Sequence, residues 1–410
     1  MRRPTPMGTP DPTRLPKGGK GERGPAPPLR LAAIGMEAEF ELWVDGRRAR
    51  PERVFRDPRD FLGPLMHRTG RSYALPNGAA VYFDTGVIEV ATPAMEVARG
   101  VAARAGRSLW EAIHAVRAGL DDWERRTGRA AQLVGFSAHY NVSFNEPAAP
   151  GPRHTVEDLA WVLVHLLPFP LALVAANKRS TGVGVRPRGE RVEITVDFTP
   201  SPSLTIAAGA LIAGVVRAVM AWPAYTLAEA QQRGLPVLAD LHPKPHTSRQ
   251  GWLAHASCFP RNPFEADPDA PVWRVRGREE RASLREMAAE VFYGFRPGVR
   301  AVANPFTYRL LRLLFAGHAP ALLDLPDRPE AYAHVGRLCA WDDLFPERML
   351  RRSQYERVLI RAVAGRRLRV GGRVYRPVGL RGWSAVRFRR DDGALVTLSV
   401  DALLRHLDRW

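Results

Sequence analysis

Lysine is nearly missing from this 410-residue chain. Lys17, Lys20, Lys178 and Lys244 are the only four, so 56 of the 60 basic residues are arginine. With the abundant Ala, Gly and Pro, this bias is what a GC-rich genome produces. The net charge of +18 therefore says less about a nucleic-acid partner than its size suggests. It still favours anionic partners, because a positive field raises their encounter rate. Cysteine is scarce too. Cys258 and Cys339 make no C-x-x-C pair, which excludes a disulfide framework or a thiolate zinc ribbon and fits a reducing cytoplasm. The first 29 residues lack an apolar h-region and read as a disordered Pro/Gly/basic tail rather than a signal peptide. The apolar run 204–221 is rich in small residues, contains Arg217 and is followed by Pro223, so it reads as a buried core helix and not a membrane span. No internal repeat is found.

What is present is a globular composition, with 45% hydrophobic and 25% charged residues. The expected organisation is one large domain over 30–365 and a small β-rich appendage over 366–410, with strands around the "VGG" and "RDDG" turns and a closing helix. Strand-like and helix-like periods alternate. Helical spacing runs over 95–127, over 156–176 behind a Thr155/Asp158 capping box, over 203–230, and in much of 281–365. Pro168 and Pro170 should split the second of these. Residues 236–280 read as an extended surface segment.

In "IGMEAEFELWV" (34–44), Glu37, Glu39 and Glu41 alternate with Met36, Ala38, Phe40 and Leu42. Period-2 geometry sends the two sets to opposite faces of a sheet. In 133–144, Val134, Phe136, Ala138, Tyr140, Val142 and Phe144 oppose Ser137, His139, Asn141 and Ser143. In 190–198, Val192, Ile194, Val196 and Phe198 oppose Arg191, Glu193, Thr195 and Asp197. In 79–91, Tyr82 and Asp84 share a face, and a bulge at Thr85–Gly86 would bring Glu89 to it. A solvated sheet face would also alternate. Like charges along one strand face repel, however, unless something positive sits among them. Divalent cations answer that need, and oxygen-rich sites with an occasional His favour magnesium or manganese. Asp84 is open to three roles: catalysis, metal ligation or turn formation. His139, between Ser137 and Asn141, reads as a ligand or phosphate contact.

"GMEAEFEL" resembles the G-x-E-x-E opening of the glutamine synthetase and glutamate–cysteine ligase superfamily. "NGAAVYFDTGVIEVATP", "GFSAHYNVSF" and "RVEITVDFTPSPSLTIAAGALIAGVVRAVM" resemble, in order, three motifs of its Pup ligase and Pup deamidase branch. The resemblance implies an α+β fold, a curved antiparallel sheet with helices packed on one face and ATP with magnesium in the concave face. It implies a carboxylate–amine ligase that works through an acyl phosphate, with an amide hydrolase as the alternative. Glu37, Glu39 and Glu89 then match metal-binding glutamates, and His139 joins them. Asp84 matches the catalytic aspartate and Arg191 the arginine facing the phosphates. Tyr82, Asn141 and Glu193 are candidates for nucleotide contact, as are Lys178 and Arg179 in the loop "NKRSTGVGVRPRG", which equally suits an ordinary basic surface loop. The branch has an acidic residue where this chain has Tyr140, on the apolar face. Either that contact is lost or another residue, such as Glu41 or Glu193, supplies it. The expected partners are an acidic carboxylate donor and an amine acceptor, small molecule or protein. A non-enzymatic basic protein that binds RNA or an acidic partner is the third reading, and no recognisable RNA-binding motif interleaves aromatics with the arginines to support it. "HPKPH" (242–246) with His255 and Cys258 is a weak zinc pattern, since its prolines preclude a helical H-x-x-x-H face.

Overall fold

The computed structural model describes residues 32–143, 153–176, 180, 182–199, 201–246, 250–325 and 351–410. The expected N-terminal tail, Phe144, Lys178, Arg179 and Cys339 lie outside the described residues. Twelve strands form one antiparallel sheet: β1 (Ala33–Val44), β2 (Arg47–Ala49), β3 (Met66–Thr69), β4 (Ser72–Ala74), β5 (Ala80–Asp84), β6 (Val87–Ala91), β7 (Met95–Glu96), β8 (Ala131–Ser143), β9 (Val183–Pro187), β10 (Arg191–Asp197), β11 (Lys244–Pro245) and β12 (Trp252–Ala254). Their order is β11-β12-β9-β10-β8-β1-β6-β5-β4-β3, and β2 and β7 also pair with β1. A hairpin of β13 (Trp273–Arg274) and β14 (Arg281–Ala282) follows. The C-terminal strands β15 (Leu368–Val370), β16 (Arg373–Arg381), β17 (Ala385–Arg390) and β18 (Leu395–Ser399) form a separate four-stranded sheet. The fold is thus mixed α+β, with a large antiparallel sheet and a small β-rich C-terminal unit.

The alternation in β1 becomes burial. Ile34, Met36, Ala38, Phe40 and Leu42 lie in the main core, while Glu37, Glu39 and Glu41 are half-buried. Helices Val101–Thr127, Val156–Leu166, Pro168–Ala175 and Pro202–Val219 pack into that core. The small residues of the last helix let it rest almost directly on the sheet. A Cβ on Gly209 would fall 2.3 Å from the end of Met36 and 3.3 Å from the Tyr140 ring. Close packing of this kind tolerates little added volume.

Helix limits depart from the periodicity in interpretable ways. Residues 95–96 are drawn into the sheet as β7, so the first long helix begins at Val101. Thr155 and Asp158 form the expected capping box, and Pro168 opens a second helix bent 61° from the first. The run expected over 203–230 ends at Val219. Pro223 lacks an N–H for a continuing ladder, and Thr226 caps a new helix at Leu227–Gln232. Among the described residues, Pro202–Val219 has a membrane span's length and hydropathy, and 78% of it is buried inside the fold. The bent pair Val156–Leu166 and Pro168–Ala175 passes the same test only jointly. Among the described residues of 236–280 there are only short strands and one 3-10 turn.

The C-terminal unit has its own core, which begins upstream of the expected boundary at 366. Tyr355, Val358, Leu359 and Ala362 pack with Leu368, Leu380, Phe388 and Trp410. It is moored by charge. The fully buried Glu356 accepts from Arg352 at 2.6 Å and lies 3.5 Å from the equally buried Arg107. Arg352 also bridges to Glu111 at 2.7 Å, and Glu96 accepts the backbone N–H of Gln354 at 2.7 Å. Removing one partner from such a network strands the remaining charges. Glu356→Ala should therefore cost about 3–5 kcal/mol, read as a lower denaturation midpoint in urea. A change below about 1 kcal/mol would mean that the arginines are solvated after all.

Candidate functional site

The polar faces of the central strands converge on the side of the sheet away from the helices. Glu37 stands opposite His139 across β1–β8, and Glu39 stands opposite both Ser137 on β8 and Glu89 on β6. Beyond them, Tyr82 pairs with Glu89, and Thr195 with His139. Cross-strand partners share a face, so Tyr82, Glu89, Glu39, Ser137, Glu37, His139 and Thr195 form one patch.

Two parts of this arrangement correct the expected geometry. Residues 79–91 are not one strand with a bulge. They form the β5–β6 hairpin, whose two-residue turn is Thr85 (φ 48°) and Gly86 (φ 101°). Positive φ at both positions matches the tight turn that suits strand twist. The hairpin puts Tyr82, Asp84 and Glu89 on the same side, as the bulge was meant to do. The bulge is in β8 instead. Glu39 faces Ser137 but Phe40 faces Gly135, which leaves Phe136 over. A Cβ at Gly135 would meet the Phe198 ring at 2.4 Å, so the backbone approaches that ring closely here. Parity reverses at the bulge: Leu133 is buried, Val134 is half-buried, and Phe136 is 46% exposed rather than in the core. Tyr140 keeps its expected apolar position and donates to the Thr205 carbonyl at 3.1 Å.

The site is dense in charge. Single ligand atoms from Glu37, Glu89 and His139 lie within 4.8 Å of one another, and so do those from Glu39, Asp84 and Glu89. Glu89 belongs to both sets. His139 Nδ1 is 3.4 Å from Glu37, and its Nε2 is 3.2 Å from the Ser137 hydroxyl, which donates to Glu39 at 2.5 Å. With its proton given to Glu39, the Ser137 hydroxyl accepts from Nε2, so a protonated ring satisfies both contacts. Tyr82 donates to Glu89. Asp84 is exposed at the rim and takes a 2.7 Å bond from Thr85. Arg191 donates to Asn141 Oδ1 at 2.8 Å. Asn141 Nδ2 and Thr195 Oγ1 are buried there with no hydrogen-bond partner among the described residues.

The remaining expected residues divide. Glu193 is held by Arg186 and by Arg188 at 3.2 Å, so its carboxylate is already engaged. Glu41 is engaged too, by Arg48 at 2.9 Å and by the Trp43 indole N–H at 3.2 Å. The glycine- and arginine-rich loop contributes β9, which carries Arg186 beside Glu193. His242, His255 and Cys258 join neither metal-capable group found among the described residues. Arg68 was missed in the sequence. Its charge interacts with Tyr82, Glu37 and Glu89 from the four-residue strand β3, a segment with no motif to mark it.

These contacts set the protonation states. Burial pushes Glu89 up to about 8, and the Glu37 charge adds to the shift against the Tyr82 hydrogen bond. Burial acts the same way on Glu37, but the His139 hydrogen bond and the charges of His139, Arg191 and Arg68 win and hold it down. His139 is raised: burial opposes its charge, and the surrounding glutamates outweigh that. A cation entering the cluster must therefore displace protons. Mn2+ affinity should rise by about tenfold or more per pH unit between roughly pH 6 and 8, with protons released on titration. Glu89→Gln should weaken binding and flatten that slope. In the absence of metal the sign is opposite. The folded Glu89 holds its proton above the value of 4.5 for a free carboxyl, so stability should fall as pH rises from 4.5 towards 8. Mn2+ affinity independent of pH would contradict this account. No known family model and no curated protein matches the chain.

Proposed function

We propose that this face binds ATP with magnesium on a glutamine synthetase-like sheet, and that the protein is a carboxylate–amine ligase acting in the cytoplasm. The observation that carries the reading is the metal-capable set Glu37/Glu89/His139, with Glu39 paired directly opposite Glu89 across β1–β6. The donor set is oxygen-rich with one imidazole, the chemistry that magnesium or manganese takes. Glu37, Glu39, Glu89 and His139 would hold the ions, which supply charge neutralisation to transferring phosphoryl groups.

The protein's own residues take the other roles. Arg191, fixed by Asn141, presents its remaining N–H groups to phosphate oxygens. The buried Asn141 Nδ2 and Thr195 Oγ1 can donate to a bound ligand. Asp84 stands at the exposed rim, where an incoming amine would arrive, and is placed to take its proton. The same exposure favours a second reading, an amide hydrolase in which Asp84 serves water. ADP formed in step with product marks the ligase, whereas release of amine without net ATP turnover marks the hydrolase. The basic chain suits an acidic carboxylate donor.

Calorimetry with ATP and magnesium tests the site before a substrate is known. Glu37→Ala should weaken nucleotide binding by about tenfold or more, since it removes a direct ligand of the cation. Asp84→Asn should bind within about threefold of wild type yet lose about a hundredfold or more in turnover, as expected for a lost general base. A wild-type protein that ignores ATP at every magnesium concentration ends the proposal. Full turnover by Asp84→Asn removes Asp84 from its role.

A further inference from the structure

The C-terminal unit reaches Arg68 through its β16–β17 hairpin. The β16–β17 hairpin turns through Gly382–Ser384, and at its tip the Trp383 ring lies under the Arg68 guanidinium, 3.8 Å from ring centroid to Cζ. β16 runs close beside β3, where a Cβ on Gly379 would lie 3.3 Å from the His67 carbonyl. Arg68 spends one N–H on Ser72 at 3.3 Å, while its Nε is buried without a hydrogen-bond partner among the described residues. Its electrostatic neighbours are Tyr82, Glu37, Glu89 and Arg191. A cation is thus held on an aromatic plane within electrostatic reach of the carboxylates, with bonding capacity unspent.

We propose that Trp383 and Arg68 form an anion clamp through which the C-terminal unit completes the site, Arg68 engaging the phosphate oxygens of a bound polyphosphate and Trp383 fixing its position. The inference rests on reading the site as one for metal-bound nucleotide. Three features favour a clamp over a plain structural contact. A planar guanidinium stacked on an indole keeps its edge N–H groups free for bidentate contacts. Its charge lies among groups that bind a cation, so it competes with that cation until an anion arrives. The buried ion network of Arg107, Arg352 and Glu356 anchors the unit that delivers Trp383. Trp383 is a positioning residue, since Arg68 alone would touch the ligand.

The two halves of the role predict opposite changes. Arg68→Ala should bind Mn2+ alone about threefold to tenfold more tightly, because a competing charge is gone. It should bind inorganic triphosphate with magnesium about tenfold or more weakly, because the clamp is gone. Arg68→Lys should keep the wild-type Mn2+ affinity and recover triphosphate binding only in part, lacking the planar fork. Trp383→Ala should shift both affinities in the directions of Arg68→Ala but less far, and Trp383→Phe should restore them. Calorimetry on the full-length chain reads all four variants. Mn2+ and triphosphate affinities that fall together in Arg68→Ala, or that both stay unchanged, overturn the clamp. A wild-type protein that binds Mn2+ but neither triphosphate nor ATP overturns the nucleotide reading, and the clamp with it. An unchanged Mn2+ affinity in Arg68→Ala counts against the clamp alone.

Discussion

Crowding of like charge governs this molecule. Glu37, Glu39 and Glu89 are brought side by side by the pairing of β1 with β6, and the sheet cannot separate them without breaking register. Each residue is at least half-buried, so solvent screens their repulsion poorly. Something positive must therefore stand among them in any state of the protein. Without a metal ion, protons and fixed cations do it: His139, its basicity raised by the glutamates, between Glu37 and the Ser137–Glu39 pair, the Tyr82 hydroxyl on Glu89, and Arg68 and Arg191 at the flanks. The raised Glu89 and His139 and the lowered Glu37 are three outcomes of that one constraint.

The scaffold supplies what such a cluster needs, which is rigidity. A site of opposed charges keeps its geometry only if the backbone cannot relax away from the repulsion. The helix Pro202–Val219 presses on the back of β1 and β8 through Gly209, and the aromatic cluster of Phe40, Phe198 and Trp110 fills the same layer. Behind the hairpin, Gly86 N–H is fastened to Glu52 at 2.9 Å. The strands carrying the acidic residues are braced from behind at the points where repulsion would push them.

How much of this could be read from the sequence follows from the range of each interaction. β1 was fully legible, because a regular strand with one buried face writes its parity directly into residue order. The 79–91 segment was half legible: its acidic residues belong to one patch, but a glycine with positive φ serves a bulge or a hairpin turn equally well, and only the pairing with β1 decides between them. β8 misled at Val134 and Phe136, because the bulge is dictated by Phe198, more than sixty positions away, through its contact at Gly135. Arg68 and Trp383 left no signal. Their partnership spans more than three hundred residues and joins two short elements whose local patterns say nothing of each other.

Arginine is distributed unevenly over the sheet. Glu193 is matched by Arg186 and Arg188, and Glu41 by Arg48. Those carboxylates are neutralised by residues from neighbouring strands and lie to either side of the centre. Glu37, Glu39 and Glu89 in the middle have no such direct ion pair with an arginine among the described residues, only His139, hydroxyls and guanidinium groups at longer range. A protein with 56 arginines does not leave its most crowded carboxylates without that partner for want of supply. A guanidinium inserted among them would satisfy the repulsion permanently and close the cluster to any other cation. Keeping the arginines one step back leaves the centre neutralised by His139, hydroxyls and protons rather than by a fixed guanidinium. The two alternatives for the acidic contact absent at Tyr140, Glu41 and Glu193, both have arginine partners, which sets them apart from the central cluster.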